Sequence, residues 1–170
     1  MILDCGCPGV YPDWQDQDID LAHHAAHTLP IASFLYMPLA YDTYRQRQQL
    51  GIGQLELEER WPGFALSRTG LFGGRLIRLL KDGRSPSRHV GNLPARFQLN
   101  VRMHAGGIGT VRDTVRRQQM DLLDSGRMPK EIYMAYLTCP RCAEARGGER
   151  IMVLRRWEER PRLKRRQGKR

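Results

Sequence analysis

The sequence has no apolar run near the roughly 18 residues that cross a bilayer as a helix. Its longest candidate, LPIASFLYMPLAY from 29 to 41, is interrupted by Pro30 and Pro38 and reads as core. The first residues, MILDCGCP, hold neither the basic start nor the apolar centre of a secretory signal, so a cytoplasmic protein with no membrane partner is the expectation. In that reducing compartment thiols serve as ligands or catalysts rather than as disulfides. Signatures of known chemistry are scarce too. The cluster HHAAH lacks the glutamate of the HExxH zinc-protease pattern, and after Gly107 and Gly109 the third glycine of a dinucleotide fingerprint is replaced by Arg112. There is no GK[ST] phosphate loop, and the loop DGRSPSRHV contains no nucleophile, base and orienter set. No internal repeat is visible, and low complexity is confined to the basic C-terminal end.

What is present suffices for one core. At 170 residues and 41% hydrophobic, the chain matches a single domain in size and is short for two. The formal charge of +10 is unevenly placed: residues 1–60 carry a net −6, residues 61–154 a net +9, and residues 155–170 a net +7. The expected organisation is a domain over 1–157 and a basic tail over 158–170, because EERPRLKRRQGKR offers Leu163 as its one strongly apolar residue.

Periodicity then divides the domain. DLAHHAAHTLP reads as a short helix stopped by Pro30, and Leu39 to Trp61 as a second helical stretch weakened at Gly51 and Gly53. From Pro62, short apolar runs separated by glycine predict strands near 64–68 and 74–80, followed by the turn KDGRSPS. ARFQLNVRMH alternates Phe97, Leu99, Val101 and Met103 with polar residues, the period of a half-buried strand. IGTVRDTVRRQQMDLLDSG predicts a helix ending at Gly126, and KEIYMAYLT and ERIMVLRRW predict two more strands. The fold class expected is α+β: a mainly antiparallel sheet, one long helix in the C-terminal half, helical N-terminal segments, and a Cys-rich metal site as a staple.

The four cysteines fall in two close pairs at opposite ends of the chain. Cys139 and Cys142 enclose Pro140 and Arg141, a spacing that lets two sulfurs converge on one ion, and Cys5 and Cys7 flank a glycine that lets the chain bend between them. One shared structural zinc held by Cys5, Cys7, Cys139 and Cys142 is the expectation, with a redox dithiol at Cys139 and Cys142 as an alternative. A second candidate metal site is His23 with His27, one helical turn apart if the segment is helical, with Asp18 or Asp20 nearby.

Composition also suggests a partner. Arginine outnumbers lysine, and a basic middle segment joined to a basic tail fits a polyanion, RNA or DNA, or an acidic protein surface. Arg112, Arg116 and Arg117 on the helix after the glycine turn, with Arg165 and Arg166 in the tail, are the candidate contacts. The functional expectation is therefore a zinc-binding basic accessory protein. A metal-dependent enzyme using His23 and His27, or a thiol redox protein, is the alternative.

Overall fold

The computed structural model describes residues 1–161. In chain order they form β1 (Asp18–Asp20), β2 (Ala25–Ile31), a small hairpin of β3 (Ser33–Phe34) and β4 (Met37–Pro38), α1 (Tyr41–Gln54), β5 (Leu66–Thr69), β6 (Gly74–Leu79), β7 (Val90–Asn92), β8 (Gln98–Ala105), α2 (Arg112–Asp124), β9 (Arg127–Tyr136), the single-turn α3 (Pro140–Ala143) and β10 (Arg150–Glu159). Eight strands make one antiparallel sheet in the order β1-β8-β10-β9-β5-β6-β2-β7, curled into a half-barrel.

The sheet is buried on both faces at its centre, which is why β10 reads as the unbroken run Ile151, Met152, Val153, Leu154. Met152 and Leu154 enter the main core with Leu66, Ile77, Leu99 and Val101. Ile151 and Val153 face the other way and pack with Val111 and Val115 of the α2 region. Trp14 and Trp61, with ring centroids 5.1 Å apart in an edge contact, pack against the main core beside Phe64.

The architecture is a unit of strand, helix and hairpin used twice. β2, α1, β5 and β6 form one copy and β8, α2, β9 and β10 the other, and they meet where Ser67 pairs with Met134. From that seam the registers run in parallel: Ser67 faces Leu76, which faces Leu29, and Met134 faces Val153, which faces Arg102. Each helix sends one buried glutamine into its own half of the sheet. Gln48 Nε2 donates to the carbonyls of His27 and Leu76, both at 3.0 Å, and Gln118 Nε2 donates to those of Asn100 and Val153 at 2.8 and 3.3 Å. A glutamine bonded to two strands at once ties helix to sheet without an unpaired buried amide nitrogen.

The expected α+β fold is corrected in two respects. Among the described residues there is no long C-terminal helix: α2 spans 13 residues, α1 spans 14 and α3 spans 4, against a sheet of eight strands. Of the two N-terminal segments expected to be helical, the second contains α1 and the first does not form a helix. DLAHHAAHTLP forms the turn after β1 and the strand β2, because pairing with β6 and β7 sends Ala26 into the main core and turns His27 and Ile31 toward α1. Tertiary pairing here overrides a weak local helix preference. Pro30 is tolerated because β7 covers β2 only from Ala25 to His27, leaving an open edge beyond. β10 continues through Glu159, which pairs with Arg127, so the ordered sheet extends past residue 157.

Candidate metal centre

The β9–β10 hairpin carries a knuckle. Cys139, in extended backbone, precedes α3, with Pro140 at its first position where a missing N–H costs nothing. The tight turn brings the Cys142 N–H onto Cys139 Sγ, and the Cys139 N–H onto Cys142 Sγ at 3.3 Å. Gly147 at φ 78° and Gly148 at φ 108° return the chain to β10.

The N-terminus reaches this knuckle as a compact loop. Leu3 and Cys7 are bonded through backbone at 2.9 Å, Gly9 to Met1 at 2.9 Å, and Gly6 turns the chain at φ 82°. Two arginines hold the loop in place. Arg45 of α1 donates from Nη2 to the Cys5 carbonyl at 3.0 Å, and Arg146 donates from Nη1 to the carbonyls of both Pro8 and Leu137, at 3.0 and 2.9 Å. Arg146 also lies over the Tyr11 ring, 5.7 Å from its centroid.

The result is that Cys5, Cys7, Cys139 and Cys142 place their sulfurs within 4.8 Å of one another, a set that can hold a metal ion. Four thiolates at 2.3 Å around one tetrahedral ion stand about 3.8 Å apart. Cys139 Sγ and Cys142 Sγ are 3.9 Å apart. The spacing suits a single ion. Burial pushes the Cys7 thiol up, helped by the neighbouring thiols of Cys5, Cys139 and Cys142. Burial also opposes ionisation of Cys139, but the N–H groups of Cys142 and Arg141 aimed at its sulfur hold it down to about 7. A cation among the four sulfurs would satisfy both groups as thiolates.

A cavity of about 490 Å³ opens beside the sulfurs, lined by Tyr41, Arg45, Ile108, Tyr136, Arg141 and Glu149 among others. Tyr41 and Tyr136 meet edge to face at 5.4 Å. Burial raises both phenols above their ordinary range, so both are neutral hydrogen-bonding groups near pH 7.

The histidine cluster comes apart. His23 sits in a left-handed turn at φ 60°, while His27 is in β2 and 3% exposed, so the helical spacing that would have placed them on one face does not form. His27 instead packs against His89, ring centroids 5.7 Å apart, and contacts Gln48 Nε2 through Nδ1 at 3.2 Å. Burial, then the charges of His89 and Arg78, keep its pKa below the ordinary histidine value. Arg112, Arg116 and Arg117 are exposed on α2, away from the buried Thr114, Gln118 and Leu122. Arg165 and Arg166 lie outside the described residues. Near the glycine turn before α2, the place a Cβ on Gly107 would take is filled by the Glu149 carboxylate, which disfavours an anion there. Sequence reasoning gave Arg45, Arg146, Tyr41 and Tyr136 no role at this site. None belongs to a motif, and each acts through contacts more than 30 residues distant or across the hairpin.

No family model matches the sequence, and no curated protein matches it. Among solved structures, the crystal structure of the EcmrR C-terminal domain is similar at TM-score 0.55 and 10% identity, over 84% of this chain and 95% of that one. The cryo-EM structure of an EcmrR–DNA complex gives TM-score 0.56 and 9% identity, over 84% of this chain, which spans 56% of that one. At such identities the likeness is one of fold. No helix among the described residues is long and apolar enough to cross a membrane.

Proposed function

We propose that this chain is a zinc-stapled binding domain, an accessory protein rather than a metalloenzyme, whose basic surface engages a polyanion. The observation that carries the reading is the gathering of four thiols, from two ends of the chain, within 4.8 Å. Zinc suits such a site because it accepts four thiolates with no further geometric demand. Four protein ligands leave the ion no position for water or substrate, so its role is to close the N-terminal loop onto the hairpin. Support for the polyanion comes from Arg112, Arg116 and Arg117, exposed on α2, and from a net +10 over the chain. A solved structure of similar fold, of which this chain spans 56%, is of a protein in complex with DNA.

The protein as isolated should contain about one zinc per chain and no visible-range absorption of an iron–thiolate centre. Cys5→Ser and Cys139→Ser should each release it, and the double variant should lose little more stability than either alone. Full zinc occupancy in Cys5→Ser would defeat a shared site. For the partner, affinity for an RNA or DNA oligomer should fall steeply with salt, and changing Arg112, Arg116 and Arg117 together to Gln should flatten the log–log slope by about 2 to 3. Binding that ignores salt would remove the polyanion reading.

A second reading is favoured by the cavity at the metal site, whose Tyr41 and Tyr136 edges and flanking Arg45 and Glu149 suit a small aromatic ligand with a polar end. Tyr136→Ala should abolish binding of such ligands in a fluorescence titration while the zinc stays bound.

A further inference from the structure

Two loops remote in sequence expose a contiguous apolar tip. The turn of the β3–β4 hairpin presents Phe34, Leu35, Tyr36 and Met37, and the β5–β6 turn presents Leu71 and Phe72, the last at 75% exposure. Phe34 and Phe72 are in contact, ring centroids 6.3 Å apart. Such a cluster exposes on the order of 600 Å² of apolar surface, the upper end of the largest patch a monomer leaves in water, a size at which such patches are often functional.

The backbone beneath is arranged for display. Leu35 and Tyr36 occupy the left-handed region, at φ 47° and 65°, the two central positions of a hairpin turn where Asn-Gly is the preferred pair. Large side chains are strained there, yet they stand 59% and 65% exposed. The two loops are braced together: Leu35 N–H donates to the Leu71 carbonyl at 2.9 Å, Tyr36 N–H to Gly70 at 3.1 Å, and Ser33 Oγ to Gly70 at 2.8 Å. Polar backbone at the tip is thus partly satisfied internally, which an apolar medium requires.

At the foot of the tip are two like charges. Arg68 and Arg75 lie directly opposite in the β5–β6 register, one pair below Thr69 and Gly74, and neither is in an ion pair among the described residues. The carboxylate whose field reaches Arg68, that of Glu131, is already held by Arg156. Facing like charges cost stability unless an anion lies between them. At about 3.3 Å per residue they sit roughly 10 Å below Leu71, the depth that separates buried side chains from lipid phosphates at a bilayer surface.

We propose that this tip is a peripheral docking site for an anionic lipid surface, with Leu35, Tyr36 and Phe72 entering the acyl boundary and Arg68 and Arg75 taking lipid phosphates. It is independent of the metal reading and needs no membrane-spanning element. The net +10 of the chain complements such a surface.

The test uses the full chain and vesicles of phosphatidylcholine with and without phosphatidylglycerol, floated in a density gradient at about 0.5 M salt to suppress adsorption by exposed basic residues alone. The protein should float only with phosphatidylglycerol vesicles. Leu35→Asn with Tyr36→Gly, which suits the turn and should keep the fold, should weaken flotation at least tenfold, and Arg68→Gln with Arg75→Gln should abolish the lipid preference. In Tyr36→Trp, emission excited at the red edge should shift to the blue on anionic vesicles and be quenched by brominated acyl chains. Unchanged flotation of the protein carrying Leu35→Asn and Tyr36→Gly, or emission from the Tyr36→Trp protein that does not respond to vesicles, would overturn the proposal. So would a dimer in light scattering that Leu35→Asn with Tyr36→Gly dissolves, which would make the tip a contact between two copies.

Discussion

Replacing Arg78 by Met should be among the most damaging single changes in the sheet. Arg78 on β6 is 2% exposed and bonds Glu59, itself 8% exposed, with Nη1 to Oε1 at 2.9 Å. Its other contacts are the Arg45 carbonyl at 3.2 Å and Gln49 Oε1, while Glu59 Oε2 accepts the Gly63 N–H at 3.0 Å. Burial lowers the Arg78 pKa and Glu59 opposes that shift, so the pair holds a charge in a place that disfavours it. Removing one partner leaves an uncompensated buried charge and costs about 3–5 kcal/mol, whereas removing both is far milder. For a chain of this length that is a drop of about 6–20 °C in Tm for Arg78→Met. Arg78→Met with Glu59→Gln should recover more than half, because Gln keeps an acceptor for Gly63. The comparison pair is Lys81 with Glu58, equally close at 2.8 Å but exposed, where Lys81→Met should move Tm by less than about 2 °C. Thermal unfolding by circular dichroism on the wild type, the two single variants, the double variant and Lys81→Met completes the cycle. If the double variant were as unstable as the sum of its singles, Arg78 and Glu59 would not be coupled as a buried ion pair.

His27 supplies a pH prediction. Its pKa is lowered in the fold, so the unfolded chain binds a proton first as pH falls below about 6.5, and the stability present above that pH is lost progressively on the acid side. His27→Asn, which copies Asn100 at the matching position of the second unit, should flatten the difference in urea midpoint between pH 7.5 and pH 5.5; equal differences in both proteins would contradict it. At the candidate metal centre, and on the zinc proposed for it, Gly6→Ala should lower zinc affinity by tenfold or more in a chelator competition, because φ 82° strains alanine and its Cβ would collide with the Arg45 guanidinium. Wild-type affinity in that variant would mean the Cys5–Cys7 turn is not held as described.

The two units share a scheme of backbone pairing and differ in sequence. Backbone register and one glutamine per helix repeat, whereas the connecting loops do not: the first hairpin ends in Gly70 to Gly73 and carries the apolar tip, and the second ends in the cysteine knuckle. The two candidate sites are thus built from the parts that the repeat leaves unconstrained.

Some of this was determined by local chemistry and was legible in the chain. The alternation around Leu99 and Val101 could bury one set of side chains only as a strand, and the glycine-bounded runs after Pro62 could only be short strands. Cys139 and Cys142 were a candidate pair from spacing alone, since two residues between sulfurs suffice for a turn. Other decisions were made across distance. Ala25–Ile31 has no strong preference of its own, and the ladders offered by β6 and β7 made it a strand and separated His23 from His27. Whether Cys5 and Cys7 could meet the other pair depended on where Arg45 and Arg146 hold the N-terminal loop, contacts of long sequence separation that no local pattern encodes. The repeat was invisible for the same reason: it resides in backbone pairing, and the side chains facing the same environment in its two halves are chemically different, His27 against Asn100 and Ser67 against Met134.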